Sequence, residues 1–265
     1  MIYFSLLLPN VVDTLTNYHM PCRDFCMKTH QLHPWNVSVE QARAIQKNLS
    51  AWVVTEGRCR NPRLLGRIEM ACTHENHNLA TVQASVSIRS LPSLQLLERK
   101  VSIRTSEFPA VEGLASFRKV PAVVAALAKL VRVPDVIICD GRGRTGSNSF
   151  GVASHVGLIT NLPTIGIRAP RPRLLSDLLG NARGSWLPVI DGGVEAVLLR
   201  VIEGLDPLMV SPAHRIDLED AMRQVLKFVP ANTPAQEYLQ LLYPEAGIRG
   251  KLTTPLTLVS SRRPA

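Results

Sequence analysis

A run of four apolar residues that ends on an acidic one constrains the fold of this 265-residue chain most strongly. Residues 136–139 read Val-Ile-Ile-Cys, and Asp140 and Gly141 follow at once. A continuous apolar run of this length is typical of a strand that is buried on both faces. Because open α/β sheets bind their ligands at the carboxyl ends of such strands, Asp140 is the best candidate for a functional carboxylate.

Strand and helix patterns alternate on both sides of this run. Antiparallel strands are predicted at residues 64–72, 81–89 and 94–103, and further strands at 164–167, 194–201 and 208–211. Helical spacing of apolar residues predicts helices at 39–55, 116–131, 150–159, 174–179 and 217–229. The order predicts an α/β fold with three antiparallel strands, then parallel strands, in a mixed sheet flanked by helices. This order resembles the ribonuclease H-like sheet.

The two ends of the chain differ from this regular middle. Residues 1–36 mix Pro, Cys, His and aromatic residues without a sustained period, and residues 248–265 are rich in Pro and Arg near the terminus. We therefore predict an irregular N-terminal extension at 1–36, one domain at 37–247 and a flexible tail at 248–265.

The charge balance favours an anionic partner. Lys and Arg number 30 against 21 Asp and Glu, so the formal net charge is +9, which suits nucleic acid. The apolar runs fall short of the roughly 20 residues that cross a bilayer. Five cysteines are an odd and sparse set that does not indicate a secreted disulfide framework. We expect a soluble, cytoplasmic protein that is a monomer and does not bind membranes.

The loop after Asp140 is rich in glycine, arginine and small hydroxylic residues. It includes Arg142 and Arg144, and its glycines let backbone amides approach an anion closely. An ordinary surface loop explains the same composition equally well, and no P-loop pattern is present. Glu69, His155 and His214 are further candidates, although a lone histidine more often has a structural role.

Five segments in order resemble the Endonuclease V family. They are Phe-Arg-Lys-Val-Pro at 117–121, Pro-Asp-Val-Ile-Ile-Cys-Asp-Gly at 134–141, Gly-Val-Ala-Ser-His-Val-Gly at 151–157, Leu-Pro-Thr-Ile-Gly at 162–166 and Ser-Pro-Ala-His-Arg-Ile at 211–216. The resemblance implies a ribonuclease H-like fold and a DNA-repair nuclease that depends on Mg²⁺, with Mn²⁺ as an alternative. Such an enzyme acts on DNA or RNA that contains deaminated adenine (inosine) and hydrolyses the second phosphodiester bond on its 3′ side.

The resemblance also assigns the catalytic centre. The family's metal-binding Asp, in Gly-Val-Asp, falls on Glu69 of Arg67-Ile68-Glu69, and its second metal-binding Asp falls on Asp140. Carboxylates are the ligands that hard cations prefer. His214 matches a family histidine near the metal and is expected to assist catalysis. The family's Glu in Phe-Arg-Glu falls on Lys119, which reverses the charge at that position.

Nucleic-acid contacts follow from the same resemblance. The family's wedge, Pro-Tyr-Ile-Pro-Gly, reads Pro-Ala-Val-Glu-Gly at 109–113, which puts Ala110 where the ring would be. Asp-Gly-His-Gly reads Asp-Gly-Arg-Gly at 140–143, with Arg144 next. The family's Lys after Thr-Ile-Gly-Val-Ala falls on Ala169, beside Arg168. We expect Ala110, Arg142, Arg144, Arg168 and His155 to lie at the nucleic-acid interface.

These departures leave three hypotheses open. The first is an active endonuclease with Glu69 and Asp140 on the metal. The second is a nucleic-acid-binding protein that keeps the fold and has lost cleavage, with Lys119 pairing with Glu69 and Asp140 in place of the cation. The third is the product of a decaying gene copy without a selected role.

Overall fold

The computed structural model describes residues 27–74, 79–144, 150–170, 178–190 and 195–242. The helices in these ranges are α1 (Val39–Ser50), α2 (Ala115–Leu127), α3 (Val152–Thr160), α4 (Leu218–Phe228) and α5 (Ala235–Leu242). The strands are β1 (Leu64–His74), β2 (Ala80–Ser90), β3 (Leu96–Ser106), β4 (Val136–Asp140), β5 (Thr164–Arg168), β6 (Trp186–Ile190), β7 (Glu195–Leu199) and β8 (Leu208–His214).

The eight described strands form one mixed sheet in the order β3-β2-β1-β4-β5-β8-β7-β6. β1, β2 and β3 are antiparallel, β1, β4 and β5 are parallel, and β8, β7 and β6 continue antiparallel. Helices cover both faces of this sheet. The predicted fold class, three antiparallel strands followed by parallel strands with flanking helices, is confirmed.

Local signals explain several element boundaries. Ser38 caps α1 in a capping box, since its hydroxyl accepts from the amide of Gln41 and the Gln41 side chain accepts from the Ser38 amide. Asp217 caps α4 by accepting from the amide of Asp220 over 2.7 Å. The first helix ends at Ser50, earlier than the predicted residue 55. The amides of Ala51, Trp52 and Val53 donate to carbonyls three residues back instead of continuing the α-helical pattern.

Three other elements differ from the prediction. β6 was not expected because its run contains Pro188, but β6 is an edge strand, where a missing amide is tolerated. α5 was not predicted either. Most of the helix predicted at 174–179 falls on residues 171–177, which lie outside the described residues, and Leu178 and Leu179 are not helical.

Each face of the sheet has its own apolar core. One core packs β1, β2 and β4 against α2 and α3, with Ile68, Val120 and Val156 among its buried members. The other packs β1, β4, β5 and β8 against α4 and α5, with Ile138 and Tyr238 fully buried. In the described part of the chain no helix is long and apolar enough to cross a membrane.

Residues 27–36 contain no helix or strand, but they pack onto the domain. Met27 is 4% exposed, its amide donates to the carbonyl of Leu130, and the amide of His30 donates to the carbonyl of Ile159 over 2.7 Å. The packed part of the chain therefore begins before residue 37. The domain boundaries at 37 and 247 stay predictions.

Candidate functional site

The carboxyl ends of β1, β3, β4 and β5 meet at one edge of the sheet, here called the carboxyl edge. The parallel register of β1 and β4 pairs Ile68 with Cys139. Glu69 and Asp140 are the next residues on each strand, so they lie side by side on the face that packs against α4 and α5. The structure thus brings together the two carboxylates that the sequence assigned to the metal.

An arginine lies against this carboxylate pair. Nη2 of Arg67 donates to Oδ1 of Asp140 over 2.5 Å, and Nη1 donates to the carbonyl of Ile68 over 2.7 Å. The side chains of Arg67 and Asp140 are 3% and 12% exposed. Burial raises the pKa of Asp140, and the guanidinium of Arg67 opposes that rise. A buried charge without a counter-ion is costly, so each of these groups stabilises the other in its charged form.

Glu69 faces a second guanidinium across an open cavity. Nη2 of Arg99 lies 4.0 Å from Oε2 of Glu69, and Nε of Arg99 donates to the hydroxyl of Ser85 over 2.9 Å. The cavity has a volume of about 740 Å³ and lies between the sheet and the segment from α4 to α5. Its sheet wall also carries Arg67 and Arg89, and its other wall carries Glu237. This volume suits a ligand the size of a nucleotide.

Lys119 approaches the centre from the other side of the sheet. It lies on α2 and is partly buried. Burial raises the pKa of the Cys139 thiol, and the charges of Arg67 and Lys119 oppose this rise, so both cations act on the neighbourhood of Asp140. Among the ion pairs within the described ranges, however, none joins Lys119 to Glu69 or Asp140. The pairing expected of Lys119 is made by Arg67 and Arg99.

The side chains beside Asp140 do not fit a magnesium site. Mg²⁺ requires oxygen ligands in near-octahedral geometry and usually binds through one or two carboxylates and several waters. Within the described ranges, no three Asp, Glu, His or Cys side chains are grouped to hold a metal ion. Two carboxylates face two guanidinium groups here, so the excess negative charge that attracts a divalent cation is missing.

Main-chain contacts fix residues 141–144, directly after Asp140. The amide of Gly141 donates to the carbonyl of Ile167, and the amide of Arg144 donates to the carbonyl of Pro212. The amide of Gly143 donates to the hydroxyl of Ser211 over 2.9 Å. A Cβ on Gly143 would lie 2.4 Å from the carbonyl oxygen of Pro212, so only glycine fits this approach. Residues 141–144 are thus held between β5, β8 and the start of α3.

The predicted basic contacts lie at this same edge. Arg142 and Arg144 follow β4, and Arg168 ends β5 beside them in the parallel register. All three are partly buried. Ala110 is exposed in the segment after β3, which runs in the same direction as β1. The backbone thus places Arg142, Arg144 and Arg168 just after or at the end of the neighbouring strands β4 and β5, and Ala110 beyond the end of β3, three strands away. Their contact with nucleic acid stays a prediction.

His155 lies in the core and not at this edge. It is 0% exposed, and its ring packs among His33, Trp35, Phe117 and Phe150. Burial lowers the pKa of His155 to about 3, so the ring is neutral at physiological pH. A buried neutral ring does not contact a phosphate backbone, and the role expected of His155 gives way to a packing role.

His214 lies at the opposite edge of the sheet. The antiparallel register pairs His214 with Thr164 at the start of β5, whereas Asp140 pairs with Ile167 three residues on, which is about 10 Å along a strand. Its Nδ1 accepts from the Val54 amide over 3.3 Å. Burial and then the charge of Arg215 lower the pKa of His214 to about 4. The structure does not bring His214 to Glu69 and Asp140, and the catalytic role implied for it does not fit this position.

Sequence reasoning missed the arginines of the site. Arg67 stands between Gly66 and Ile68 in a strand whose neighbours are apolar, and a charge in such a place is a signal that a partner is near. Nothing in the sequence marked Arg89 and Arg99 as site residues, because exposed faces of strands commonly carry arginine. Glu237 was not marked either, since α5 itself was not predicted.

Comparisons with known proteins place this chain and its fold in one family. The family model described as Endonuclease V matches residues 47–237. An Endonuclease V from Nostoc sp. is 36% identical over 206 residues, which cover 77% of this chain and 92% of that protein. The crystal structure of Endonuclease V from Streptomyces avermitilis aligns with a TM-score of 0.70 and 31% identity, over 82% of this chain and 93% of that one.

A third relative was solved with a ligand. The structure of Ciona intestinalis Endonuclease V in complex with a 24mer DNA containing an inosine followed by a ribo-adenosine aligns with a TM-score of 0.63 over 80% of this chain and 96% of that one. At 18% identity, this likeness concerns the fold alone. Together, the family match and the closely similar relatives confirm the resemblance drawn from the five sequence segments.

Proposed function

Because this chain belongs to the Endonuclease V family, we propose that it acts on DNA or RNA that contains deaminated adenine. One observation carries the proposal: Asp140, the fixed residues 141–144 and Arg168 lie at a single edge of the sheet, with arginines at 142 and 144. A concentrated positive charge beside the expected reaction centre suits a phosphate backbone. The proposal includes a cytoplasmic monomer whose domain covers at least residues 37–247, with residues 27–36 packed onto it.

The proposed function has two alternative forms, and the first is hydrolysis of the phosphodiester bond. Metal-dependent hydrolysis needs a hard cation, Mg²⁺ or Mn²⁺, held by carboxylates so that it neutralises charge in the transition state. Glu69 and Asp140 are the side chains that would hold it. Their pairing with Arg99 and Arg67 argues against that fit.

Binding without hydrolysis is the second form, and a specific observation favours it. The 2.5 Å contact between Arg67 and Asp140 engages a carboxylate that the nuclease needs for its cation. The arginines of the carboxyl edge do not depend on that carboxylate. Recognition of the nucleic acid therefore survives where hydrolysis does not.

The experiment compares oligonucleotides with one inosine against matched ones with adenosine, as single and double strands of DNA and RNA. Binding is measured by gel shift, and cleavage by denaturing electrophoresis with Mg²⁺ or Mn²⁺ at excess protein. We expect preferential binding of an inosine oligonucleotide. A cut one nucleotide beyond inosine would establish the first form, and binding without a cut would establish the second.

Two variants make the comparison sharper. Arg144→Ala removes a charge at the carboxyl edge, and Arg132→Ala removes one at the opposite end of β4, where Arg132 pairs with Glu98. We expect weaker binding from the first variant alone. Equal binding of inosine and adenosine oligonucleotides by the unmodified protein would contradict the proposed function.

A further inference from the structure

The position of Arg67 follows from strand geometry. Arg67 precedes Glu69 by two residues on β1, and the register pairs Arg67 with Ile138, two residues before Asp140. Side chains two residues apart on a strand share a face, so Arg67, Glu69 and Asp140 all point toward α4 and α5. The family segment that matches here has glycine in place of Arg67, which leaves this place without a side chain. In this protein a guanidinium fills it.

This guanidinium is fixed in place and permanently charged. Its two terminal nitrogens donate to Asp140 and to the carbonyl of Ile68, and its side chain is 3% exposed. Arginine does not lose its proton in proteins. The guanidinium of Arg67 is therefore a permanent positive charge paired with Asp140, the carboxylate that by resemblance would bind the cation.

The remaining carboxylate cannot form a cation site alone. Glu69 is faced by Arg99 at 4.0 Å, and Oδ2 of Asp140 is buried. A buried oxygen beside one guanidinium and a carboxylate that faces another are far from the set of oxygens that Mg²⁺ requires. The positive charge of Arg67 would also repel an incoming cation.

We propose that the guanidinium of Arg67 takes the place of the divalent cation on Asp140, so that this protein binds nucleic acid without metal. The proposal rests on the proposed function, because it names how the same site engages its ligand. Arg67, Arg89 and Arg99 line one cavity of about 740 Å³. Both terminal nitrogens of Arg67 are already engaged, so contact with phosphate falls to the exposed guanidinium of Arg99. Guanidinium groups bind phosphate oxygens directly through paired N–H donors, without a bridging ion.

The first test uses the unmodified protein. Mn²⁺ is titrated in, and its free concentration is followed by electron paramagnetic resonance. We expect no saturable binding at millimolar Mn²⁺. The affinity for an inosine oligonucleotide is then measured in EDTA and in Mg²⁺ at matched ionic strength, and we expect no change. Stoichiometric Mn²⁺ binding that Asp140→Asn abolishes, or loss of the oligonucleotide in EDTA, would overturn the proposal.

The second test restores the cation site. Lys119→Glu adds a carboxylate but leaves Arg67 in place, so we expect no gain of Mn²⁺ binding. The double variant Arg67→Gly with Lys119→Glu also opens the place of the cation, and we expect Mn²⁺ affinity to rise by about tenfold or more. Equal Mn²⁺ binding by the folded single and double variants would contradict a blocking role for Arg67.

The two proposals fail in different ways. Absence of any preference for inosine would end the proposed function, while the Mn²⁺ titration would still decide what Arg67 does. Mn²⁺ binding by the unmodified protein would end the proposal for Arg67 and leave recognition of inosine intact. The titrations of the unmodified protein require no variant, so the proposal is decided even where Arg67→Gly fails to fold.

Discussion

The imidazole rings of His33 and His155 meet at their Nε2 atoms, which lie 2.8 Å apart. Nδ1 of His33 lies 2.7 Å from the carbonyl of Pro34, so it is the nitrogen that carries the proton. Nε2 of His33 is then the acceptor, and Nε2 of His155 is the donor. This contact ties the segment before α1 to a fully buried helix, and it requires at least one of the two rings to stay neutral.

Acid should therefore destabilise the folded protein through His155. Burial and then the charge of His33 lower the pKa of His155 to about 3, whereas an unfolded histidine titrates near 6.5. Below pH 6.5, His155 is protonated in the unfolded state but stays neutral in the folded state, so the free energy of unfolding falls as the pH falls. Between pH 7 and pH 5 we expect a loss of about 2 kcal/mol from this residue.

Urea denaturation at both pH values measures this effect. His155→Gln should reduce the drop in unfolding free energy between pH 7 and pH 5 by about the same 2 kcal/mol. His30→Gln changes an exposed histidine of the same segment and serves as the control. An unchanged pH dependence in His155→Gln would show that the buried pair does not set it.

A double-mutant cycle tests the Arg67 and Asp140 pair. Removing one partner leaves the other charge buried and unpaired, so Arg67→Met and Asp140→Leu should each cost about 3–5 kcal/mol of unfolding free energy. The double variant should cost much less than the two losses together, because it buries no unpaired charge. Chemical denaturation of all four proteins measures the coupling. Additive losses would show that the two groups do not stabilise each other.

Salt dependence tests the arginines at the carboxyl edge. Each phosphate contact contributes about one unit to the slope of log affinity against log salt. Arg142→Ala and Arg144→Ala should each lower that slope by about one, whereas Arg132→Ala should leave it unchanged. Fluorescence anisotropy with a labelled inosine oligonucleotide across a salt series gives the slopes. Equal slopes for all variants would place the nucleic acid elsewhere on the surface.

Gly143→Ala tests the close approach of the loop to β8. The added methyl group would lie 2.4 Å from the carbonyl oxygen of Pro212, and main chain cannot move aside as a side chain can. We expect a loss of about 1–3 kcal/mol and a lower melting temperature. Gly180→Ala is the matched control, because its methyl group would meet the hydroxyl of Ser185, a side chain that can rotate. Similar melting temperatures for the two variants would contradict the tight fit.

The sequence predicted the fold because its strongest patterns are local ones. The apolar run before Asp140 and the capping box at Ser38 each depend on residues within one element, and both appear where they were expected. β6 was missed because Pro188 argues against a strand unless the strand lies at an edge. Whether a strand lies at an edge depends on the order of all strands in the sheet, and a local sequence pattern does not reveal that order.

The site was predicted less completely for a related reason. Glu69 and Asp140 lie in elements whose register follows from the sheet, and the structure brings them together. His214 was expected there, but the antiparallel return of β8 carries it to the other edge. Lys119 was expected to pair with the carboxylates, yet the contact is made by Arg67, whose long side chain reaches along its own strand. The spacing of residues along the sequence does not show which long side chain will reach Asp140.

The main-chain contacts that hold residues 141–144 have a consequence for how the site tolerates amino-acid substitution. Most of them join backbone groups, and they make no use of the side chains of Arg67, Glu69 or Lys119. Substitutions at Arg67, Glu69 or Lys119 therefore leave these contacts in place, so the charge of the centre can change without a change in the architecture that holds it. The double variant Arg67→Gly with Lys119→Glu accordingly alters the centre without rebuilding residues 141–144.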